Sequence, residues 1–549
     1  MQKSLKLRNN AALWAVLAAS TAVFLTALDQ TVVVTALPQI ITDLQISIDH
    51  LDRAAWIISG YLLGYVIAMP LMGRVSDMYG RRRVFIICLS VFAIGSLFCG
   101  LAPELGNSDL GMQIVAPLQN IGINVDSPSL VWLVAARFVQ AAGGGAVVPV
   151  AMAVVGDFYG QERRGLALGL IGLVTEAGGV LGPLYGSIIV QNWGWRTIFY
   201  LNLPIVAVLL CLIWFLIPRS EHLKERIDLP GALILGGSLV CLSLGLSQEA
   251  AQITPATTSP GSAQIQNNPW LIAAALVLLA AFITREVYTE RGEKWPLVEL
   301  SLFQRSTFSA ASLVSLLVGA ALIIAMADIP LFIVTVLGGS PVDSGLALLR
   351  LTAMIPIGAI VGGWLCTRIT CRLTAILGLI PTAVGFWLMH LWPLNVGWTQ
   401  ITISTIIGGL GFGLVIAPIG TTAINAASSR QTGMAASVVT VLRMVGMILG
   451  LAALTSWGLG RFRALAAAFR APPGVPPFSA TYNKLYETYL VGSAHEVYTD
   501  IFLAAGVLCL VALVPALLLE GRRPHQATPK DATEIEAPSR ETLQEGQYL

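Results

Sequence analysis

Apolar segments of about 20 residues recur along the whole chain, and they constrain the fold more than any other feature of the sequence. A helix of that length crosses the roughly 30 Å hydrocarbon core of a bilayer. Of the 549 residues, 56% are hydrophobic and only 11% are charged, whereas soluble domains carry about 25% charged residues. The chain is therefore an integral membrane protein. Because the segments are continuously apolar and do not alternate, they exclude a transmembrane β-barrel.

The apolar segments predict fourteen membrane-spanning helices. They lie at roughly 12–37, 54–72, 84–102, 130–151, 166–190, 196–217, 229–248, 269–285, 307–335, 343–366, 373–391, 400–422, 433–458 and 498–519. An even number places both termini on one side of the membrane. With the N-terminus inside, 23 of the 32 Lys and Arg residues fall in internal segments. Internal loops are enriched in these residues, so both termini are predicted to be cytoplasmic.

The segments outside the predicted spans give little sign of a second folded unit. Residues 459–497 form an outer insert whose RFRALAAAFR stretch is typical either of a short amphipathic helix at the membrane surface or of an ordinary tether. The polar tail, residues 521–549, is predicted to be disordered. The seven cysteines are scattered with no disulfide or metal-site spacing, so no disulfide framework and no metal site are expected.

A basic turn, GRVSDMYGRRRVF, separates the second and third spans. Glycines let two helix ends approach, arginines hold a loop on the cytoplasmic side, and a carboxylate can cap a neighbouring helix N-terminus. The turn resembles the G-x-L-A-D-R-x-G-R-R/K loop of the major facilitator superfamily, although an ordinary basic loop is an alternative. The resemblance implies a gate-stabilising motif formed by Gly73, Asp77, Gly80, Arg81 and Arg82.

This resemblance implies an all-α membrane protein with the major facilitator fold. Fourteen spans correspond to the twelve-helix plan of that superfamily plus two. We expect an N-terminal six-helix bundle over residues 1–220, two linker transmembrane helices over 221–300, and a C-terminal six-helix bundle over 301–520 that contains the insert 459–497. The second bundle repeats the basic turn only weakly, as GWLCTRITCR, where Thr367 stands in place of the carboxylate.

Two charged residues lie inside spans one and four. Asp29 belongs to LDQTVVVTALPQI, which resembles the L-D-x-T-x-V-x-x-A-L-P signature of the fourteen-helix drug:proton antiporter family, and Arg137 belongs to ARFVQAAGGGAVVP, which resembles the R-x-x-Q-G-x-G-A-A pattern there. An unpaired charge in a span costs about 2.5–3.5 kcal/mol, so Asp29 must be paired, hydrated or protonated. We expect Arg137 to be its partner and the pair to couple transport to protons. A purely structural ion pair is the alternative.

Span five contains the segment GGVLGPLYG, which resembles the antiporter motif G-x-x-x-G-P-x-x-G through Gly178, Gly182, Pro183 and Gly186. Small residues allow close helix contact, and proline can add a kink or hinge. We expect these residues to permit tight contact between the two bundles. In the superfamily the motif is associated with exporters.

Three further embedded charges are Glu176, Arg443 and Asp328. Glu176, just before GGVLGPLYG, and the residues of that motif resemble the mycobacterial triacylglyceride and lipid exporter branch. That branch works beside a lipid-carrying lipoprotein. In the facilitator plan we expect span five to face span thirteen, so that Glu176 and Arg443 pair across the bundle interface. We assign all three residues to proton coupling; the alternatives are interior pairing and span boundaries that leave the residue at the membrane interface.

The sequence therefore predicts a proton-coupled secondary exporter, not an enzyme, because no nucleophile–base set appears among the spans. It has no P-loop, so ATP is not the energy source, and no cofactor is expected. The favoured substrate is a neutral lipid such as triacylglyceride or a glycolipid; a multidrug efflux pump and a non-transporting membrane sensor are alternatives. We expect a monomer in the bacterial cytoplasmic membrane, with protons, a lipophilic substrate and an outer-face lipoprotein as partners, and no nucleic acid.

Overall fold

The computed structural model describes residues 2–46, 54–109, 111–113, 127–158, 161–217, 229–246, 269–291, 300–427, 432–470, 476 and 479–519. Fourteen helices of 18 or more residues lie in this part of the chain. They are α1 (Gln2–Asp43), α2 (Trp56–Tyr79), α3 (Arg81–Gly100), α4 (Pro128–Phe158), α5 (Gln161–Trp193), α6 (Arg196–Leu216), α7 (Leu229–Leu246), α8 (Pro269–Arg291), α9 (Ser306–Thr335), α10 (Pro341–Arg368), α11 (Cys371–His390), α12 (Trp398–Asn425), α13 (Thr432–Ala467) and α14 (Ala480–Val511).

Eleven of these helices are long and apolar enough to cross a membrane, by length and composition, within the described residues. Helices α2 and α7 contain shorter apolar segments. A helix satisfies its backbone hydrogen bonds internally, which is why apolar segments of this length adopt it in lipid. The all-helical fold predicted from the sequence is confirmed, and the number of long helices is consistent with the fourteen predicted spans.

The helix contacts of the first six helices recur in the last six. In the first bundle α1 packs on α5, α2 on α4, and α3 on both α4 and α6. In the second, α9 packs on α13, α10 on α12, and α11 on both α12 and α14. Each helix of one bundle thus has an equivalent eight places later in the chain, as in folds built from two repeated halves.

Two helix pairs form the main contact between the bundles: α5 packs on α10, and α2 packs on α13. Since α2 is equivalent to α10 and α5 to α13, these two seams are related by the repeat. The sequence analysis placed span five against span thirteen, and this is wrong. Helices α5 and α13 occupy equivalent positions on opposite seams, so each one faces the second helix of the other bundle.

The linker helices α7 and α8 pack on each other, and α7 also packs on α2 and α13. The Ser238 hydroxyl on α7 donates to the Ala275 carbonyl oxygen on α8 at 2.8 Å. Ala232 and Phe282 form a small buried cluster of their own, against which Ile67 of α2 packs. The linker pair therefore lies along the α2–α13 seam.

The two ends of the bundles differ. We call the end at which α1 finishes and α10 begins the distal face, and the end with the α2–α3 and α10–α11 turns the proximal face. At the distal face α13 continues to Ala467 and α14 begins at Ala480, so the two helices form an extended hairpin. Phe469 contacts the rings of Tyr482, Tyr486 and Tyr489. In its described residues the insert is thus neither a separate surface helix nor a tether, because α13 and α14 continue into it and aromatic packing joins their ends.

A disulfide joins Cys366 and Cys371 across the proximal α10–α11 turn, with the Cα atoms 4.4 Å apart. The sequence analysis found no spacing typical of a disulfide framework, and it did not identify this single bond. Scattered spacing along the sequence is a poor guide here, because a tight turn between two helices brings residues five positions apart within disulfide distance.

Candidate functional site

A buried polar cluster lies inside the first bundle, centred on the Asp29 carboxylate of α1. The Asp29 and Arg137 side chains are each 1% exposed, and Arg137 Nη1 lies 2.6 Å from Asp29 Oδ2. Arg137 Nη2 also donates to the Asp29 carbonyl oxygen at 3.4 Å. The two residues that the sequence analysis paired are therefore in direct contact. This ion pair joins α1 to α4.

The second Asp29 oxygen is held by two side-chain amides. Gln140 Nε2 on α4 donates to Oδ1 at 3.0 Å, and Asn202 Nδ2 on α6 donates to the same atom at 2.8 Å. Both amides also contact the Ser96 hydroxyl of α3, at 2.8 and 2.9 Å. Because the two carboxylate oxygens accept three side-chain donors, the ionised carboxylate is well satisfied without water.

The Arg137 guanidinium is packed between polar and aromatic partners. Its Nη1 also donates to Gln140 Oε1 at 2.7 Å. Its Cζ lies 4.0 Å from the centroid of the Tyr61 ring and 5.7 Å from that of Phe199. The Tyr61 hydroxyl in turn donates to the Thr26 carbonyl oxygen at 3.2 Å. A cation held over a ring face is stabilised by the ring quadrupole, so α2 contributes to the cluster as well.

Sequence reasoning identified Asp29 and Arg137 but missed Ser96, Asn202 and Tyr61. Asn202 interrupts an apolar span in the segment FYLNLPIV, so a search for polar residues inside spans would have found it. Ser96 gives no such signal, because serine is tolerated widely in membrane helices through hydrogen bonds to its own backbone. From the sequence, Tyr61 is indistinguishable from an ordinary aromatic residue of a helix core.

The gating motif is described only in part. The surroundings of Gly73 and the side chain of Asp77 lie outside what the structure describes. Gly80 is the single residue between α2 and α3, and its φ of +89° is one that side-chain-bearing residues rarely adopt. Arg81 Nη1 donates to the Ala153 carbonyl oxygen of α4, and the Arg82 Cζ lies 4.3 Å from the Trp214 ring centroid of α6. The turn thus fastens α3 to the proximal ends of α4 and α6.

The glycines of the antiporter motif face α1. A methyl group on Gly178 would lie 2.7 Å from the Phe24 carbonyl oxygen, and one on Gly182 would lie 2.8 Å from that of Leu28. The Thr35 hydroxyl donates to the Pro183 carbonyl oxygen at 3.3 Å, and Gly186 lies against Val32. The expectation that these glycines tighten the contact between bundles is wrong. They close the α1–α5 packing within the first bundle, since residues four apart share one helix face.

At the α5–α10 seam, the glycine that allows close contact between the bundles is Gly345 of α10. A methyl group on Gly345 would lie 2.9 Å from the Pro183 carbonyl oxygen, and the Thr352 hydroxyl donates to the Val180 carbonyl oxygen at 3.4 Å. The seam between the bundles is therefore joined by backbone-directed contacts in the distal half of both helices.

A cavity of about 350 Å³ opens between the bundles near the distal face. Its walls come from α1, α2, α9, α13 and α14. Four of the residues that line it have polar groups: Thr42, Asp328, Thr335 and Tyr498. The others have aliphatic or aromatic side chains or are glycine. Asp328 is thus the one acidic residue among those lining this cavity.

The remaining two predicted coupling residues are less completely described. Arg443 is half-buried on α13, where Gly319 of α9 packs against its backbone carbonyl. The Glu176 side chain lies outside the described residues, so the predicted ion pair with Arg443 stays a prediction.

Comparison with known proteins agrees with this arrangement. The Major Facilitator Superfamily model matches residues 19–451. A triacylglyceride transporter of Mycobacterium tuberculosis is 33% identical over 540 residues, covering 94% of this chain and 96% of that protein. One of Mycolicibacterium hassiacum is 34% identical over 542 residues, covering 95% of this chain and 94% of that protein.

Two solved structures share the fold. A bacterial homologue of the human lysosomal transporter Spinster aligns with a TM-score of 0.63 at 18% identity, over 92% of this chain and 96% of that chain. A D-xylose–proton symporter aligns with a TM-score of 0.55 at 13% identity, over 90% and 97%. The resemblance inferred from the motifs is confirmed: the chain belongs to the major facilitator superfamily and is a multi-pass membrane transporter, not an enzyme.

Proposed function

We propose that this transporter moves a neutral lipid, such as a triacylglyceride or a glycolipid, out of the bacterial cytoplasmic membrane by proton-coupled alternating access. The distal face is then the outer face, as the Lys and Arg distribution indicates. Residues 1–220 and 301–520 are the two moving bundles, and residues 221–300 link them. The protein acts as a monomer, and an outer-face lipoprotein accepts the lipid.

The apolar cavity near the distal face is the observation that supports this substrate class best. Its lining is almost wholly hydrocarbon, which suits an acyl chain and disfavours a strongly hydrated solute. Its volume of about 350 Å³ accepts part of a lipid, and the remainder can extend along the α13–α14 hairpin that forms one wall. The mycobacterial relatives named as triacylglyceride transporters support the same class.

The Asp29 cluster supports proton coupling. The Asp29–Arg137 pair has no net charge, and protonating Asp29 would leave Arg137 as an uncompensated buried cation, which is costly. Helix α1 carries both Asp29 and the cavity-lining residues Leu37 and Pro38, so the two sites lie on one rigid element about 12 Å apart along its axis. Each proton that moves down the membrane potential supplies about 2.3 kcal/mol per 100 mV.

The other predicted coupling residues keep their proposed roles. Asp328 is a second proton-carrying group within the cavity. Glu176 and Arg443 form a pair that is made in one access state and broken in another. Because α5 and α13 lie on opposite seams, that pair has to cross the space between the bundles. The proximal turn and the antiporter motif stabilise the gate and the α1–α5 contact.

A drug efflux pump is the second candidate, and the Asp328 carboxylate in the cavity favours it, since a cationic drug could pair with that group. Purified protein in proteoliposomes should distinguish the two. We expect transfer of radiolabelled trioleoylglycerol to acceptor vesicles and no efflux of ethidium. The substitution Ala494→Trp, which fills the cavity, should abolish the transfer, whereas Val384→Trp on the exposed face of α11 should not. Ethidium efflux without lipid transfer would establish the drug pump instead.

A further inference from the structure

A second apolar recess is lined by a different face of the α13–α14 pair from that which lines the cavity. It is a groove of about 740 Å³ formed by α9, α13 and α14. Its lining includes Leu449, Ala453 and Trp457 on α13, and Ala504 and Val507 on α14. The Trp457 and Val507 side chains are 42% and 50% exposed, so the groove faces outward from the bundle. The distal cavity is lined instead by Gly458 and Ile501, which lie next in sequence to Trp457 and Asp500 and therefore about 100° away around each helix.

The groove begins at the level of the lipid head groups. Arg461 and Asp500 form its distal end. A charged side chain that faces lipid is costly within the hydrocarbon and lies near the interface. We therefore place Arg461 and Asp500 at the distal hydrocarbon boundary. Trp457 lies one helical turn below Arg461, at the depth where tryptophan is enriched in membrane proteins.

The polar end of the groove has a fixed arrangement of charges. Arg461 Nη2 lies 2.8 Å from Glu496 Oε1, and Arg461 Nε lies 2.8 Å from Asp500 Oδ2. The three side chains are 42%, 49% and 26% exposed, so all of them can be reached from the head-group layer. One cation between two carboxylates leaves this triad with one net negative charge. The two described bonds use two of the five donors of the guanidinium.

We propose that this groove binds one glycerophospholipid of the distal leaflet whose head group is zwitterionic and carries a primary amine. One acyl chain lies along α13 and α14 below Trp457. The phosphate accepts hydrogen bonds from the remaining Arg461 donors, and the ammonium group contacts Glu496 and Asp500. A purely anionic lipid is disfavoured by the net charge of the triad.

This lipid stays bound to the transporter and is not the transported substrate. The groove and the distal cavity are lined by different faces of α13 and α14, so a lipid in the groove would brace the hairpin that encloses the cavity. The inference depends only on the membrane-spanning fold and the surface of the second bundle. It holds whether or not the transported substrate is a lipid.

The test uses the full-length protein, delipidated in detergent and titrated with lipids of matched chains under native mass spectrometry. We expect one phosphatidylethanolamine to be retained per protein, bound at least about tenfold more tightly than phosphatidylglycerol, as two charge-assisted contacts allow. Ala504→Trp, which fills the groove, should remove this bound lipid. Ile360→Trp, on the exposed face of α10, is the matched control and should retain it.

A separate variant tests the proposed preference for a zwitterionic head group. Asp500→Asn with Glu496→Gln makes the triad cationic and should reverse the preference toward phosphatidylglycerol while the groove stays open. This variant tests the assignment even if Ala504→Trp does not fold, which thermal unfolding of each purified variant will show. Equal retention of the two lipids by the unmodified protein, or a preference unchanged in the double variant, would overturn the proposal.

Discussion

Asp29 shows how a membrane helix can contain a full charge. Its two carboxylate oxygens accept donors from Arg137, Gln140 and Asn202, so three helices, α1, α4 and α6, meet at one side chain. The neutral sum of the charges matters more than the strength of any one bond, because each ion alone would be expensive in hydrocarbon. The same arrangement makes the cluster sensitive to a single proton, which changes its net charge from zero to plus one.

The energetic coupling of Asp29 and Arg137 can be measured directly. Asp29→Asn keeps the shape but leaves the Arg137 charge uncompensated, and we expect it to destabilise the protein by about 3–5 kcal/mol. The double substitution Asp29→Asn with Arg137→Gln removes both charges and should regain most of that loss. Thermal unfolding in detergent gives the comparison. Equal destabilisation by the single and the double variant would show that the two charges are not energetically paired.

At the scale of single residues, the sequence predicted the charged members of the cluster but not the uncharged side chains that hydrogen-bond to them. An acid and an arginine within apolar spans stand out because of their cost, and the structure places them 2.6 Å apart. The amides and the hydroxyl that complete the cluster are common in membrane helices, so their positions depend on how four helices are arranged. That arrangement is a tertiary property, and no local pattern contains it.

At the scale of single elements, α5 shows what a motif does not specify. The glycine spacing correctly predicted a helix face that approaches a neighbour closely, but it could not tell which neighbour. The structure directs Gly178 and Gly182 to α1 within the bundle, and the contact with the other bundle uses Gly345 of α10. The distal hairpin is a similar case. Its Tyr and Arg side chains led us to predict a polar insert where α13 and α14 in fact continue.

Two glycines three positions apart on α5 provide a matched pair for testing this packing. Gly182→Leu would drive a side chain into the Leu28 carbonyl oxygen and Thr31 of α1, and overpacking of this kind costs about 1–3 kcal/mol. Gly179 has nothing within 4 Å of the corresponding position, so Gly179→Leu should leave stability nearly unchanged.

Thermal unfolding of the two purified variants gives the measurement, with lipid transfer as a second readout. If Gly179→Leu were as damaging as Gly182→Leu, the effect would come from leucine on this helix in general. The assignment of the motif to the α1–α5 contact would then be incorrect.

At the scale of the whole molecule, the two bundles repeat each other's helix contacts and meet at two equivalent seams. The linker pair lies along the α2–α13 seam, whereas α5 and α10 meet through Thr352 and Val180. The all-helical type of the fold could be predicted from hydrophobicity alone, and the fourteen predicted spans are consistent with the long helices of the described residues. Hydrophobicity could not predict that α5 packs on α10 and α2 on α13, because these contacts follow from the symmetry between the two bundles. The C-terminal basic turn is too unlike the first one to reveal that symmetry in detail.

Coupling between protons and lipid is the central claim, and simultaneous measurement of both fluxes tests it most directly. Proteoliposomes should contain a trapped pH dye and radiolabelled trioleoylglycerol, with a pH gradient either imposed or collapsed by an ionophore. We predict that the unmodified protein moves lipid to acceptor vesicles only with the gradient, and that proton entry rises with lipid transfer. The folded double variant Asp29→Asn with Arg137→Gln should show neither. Lipid transfer that is equally fast without the gradient, or undiminished in that variant, would contradict the account.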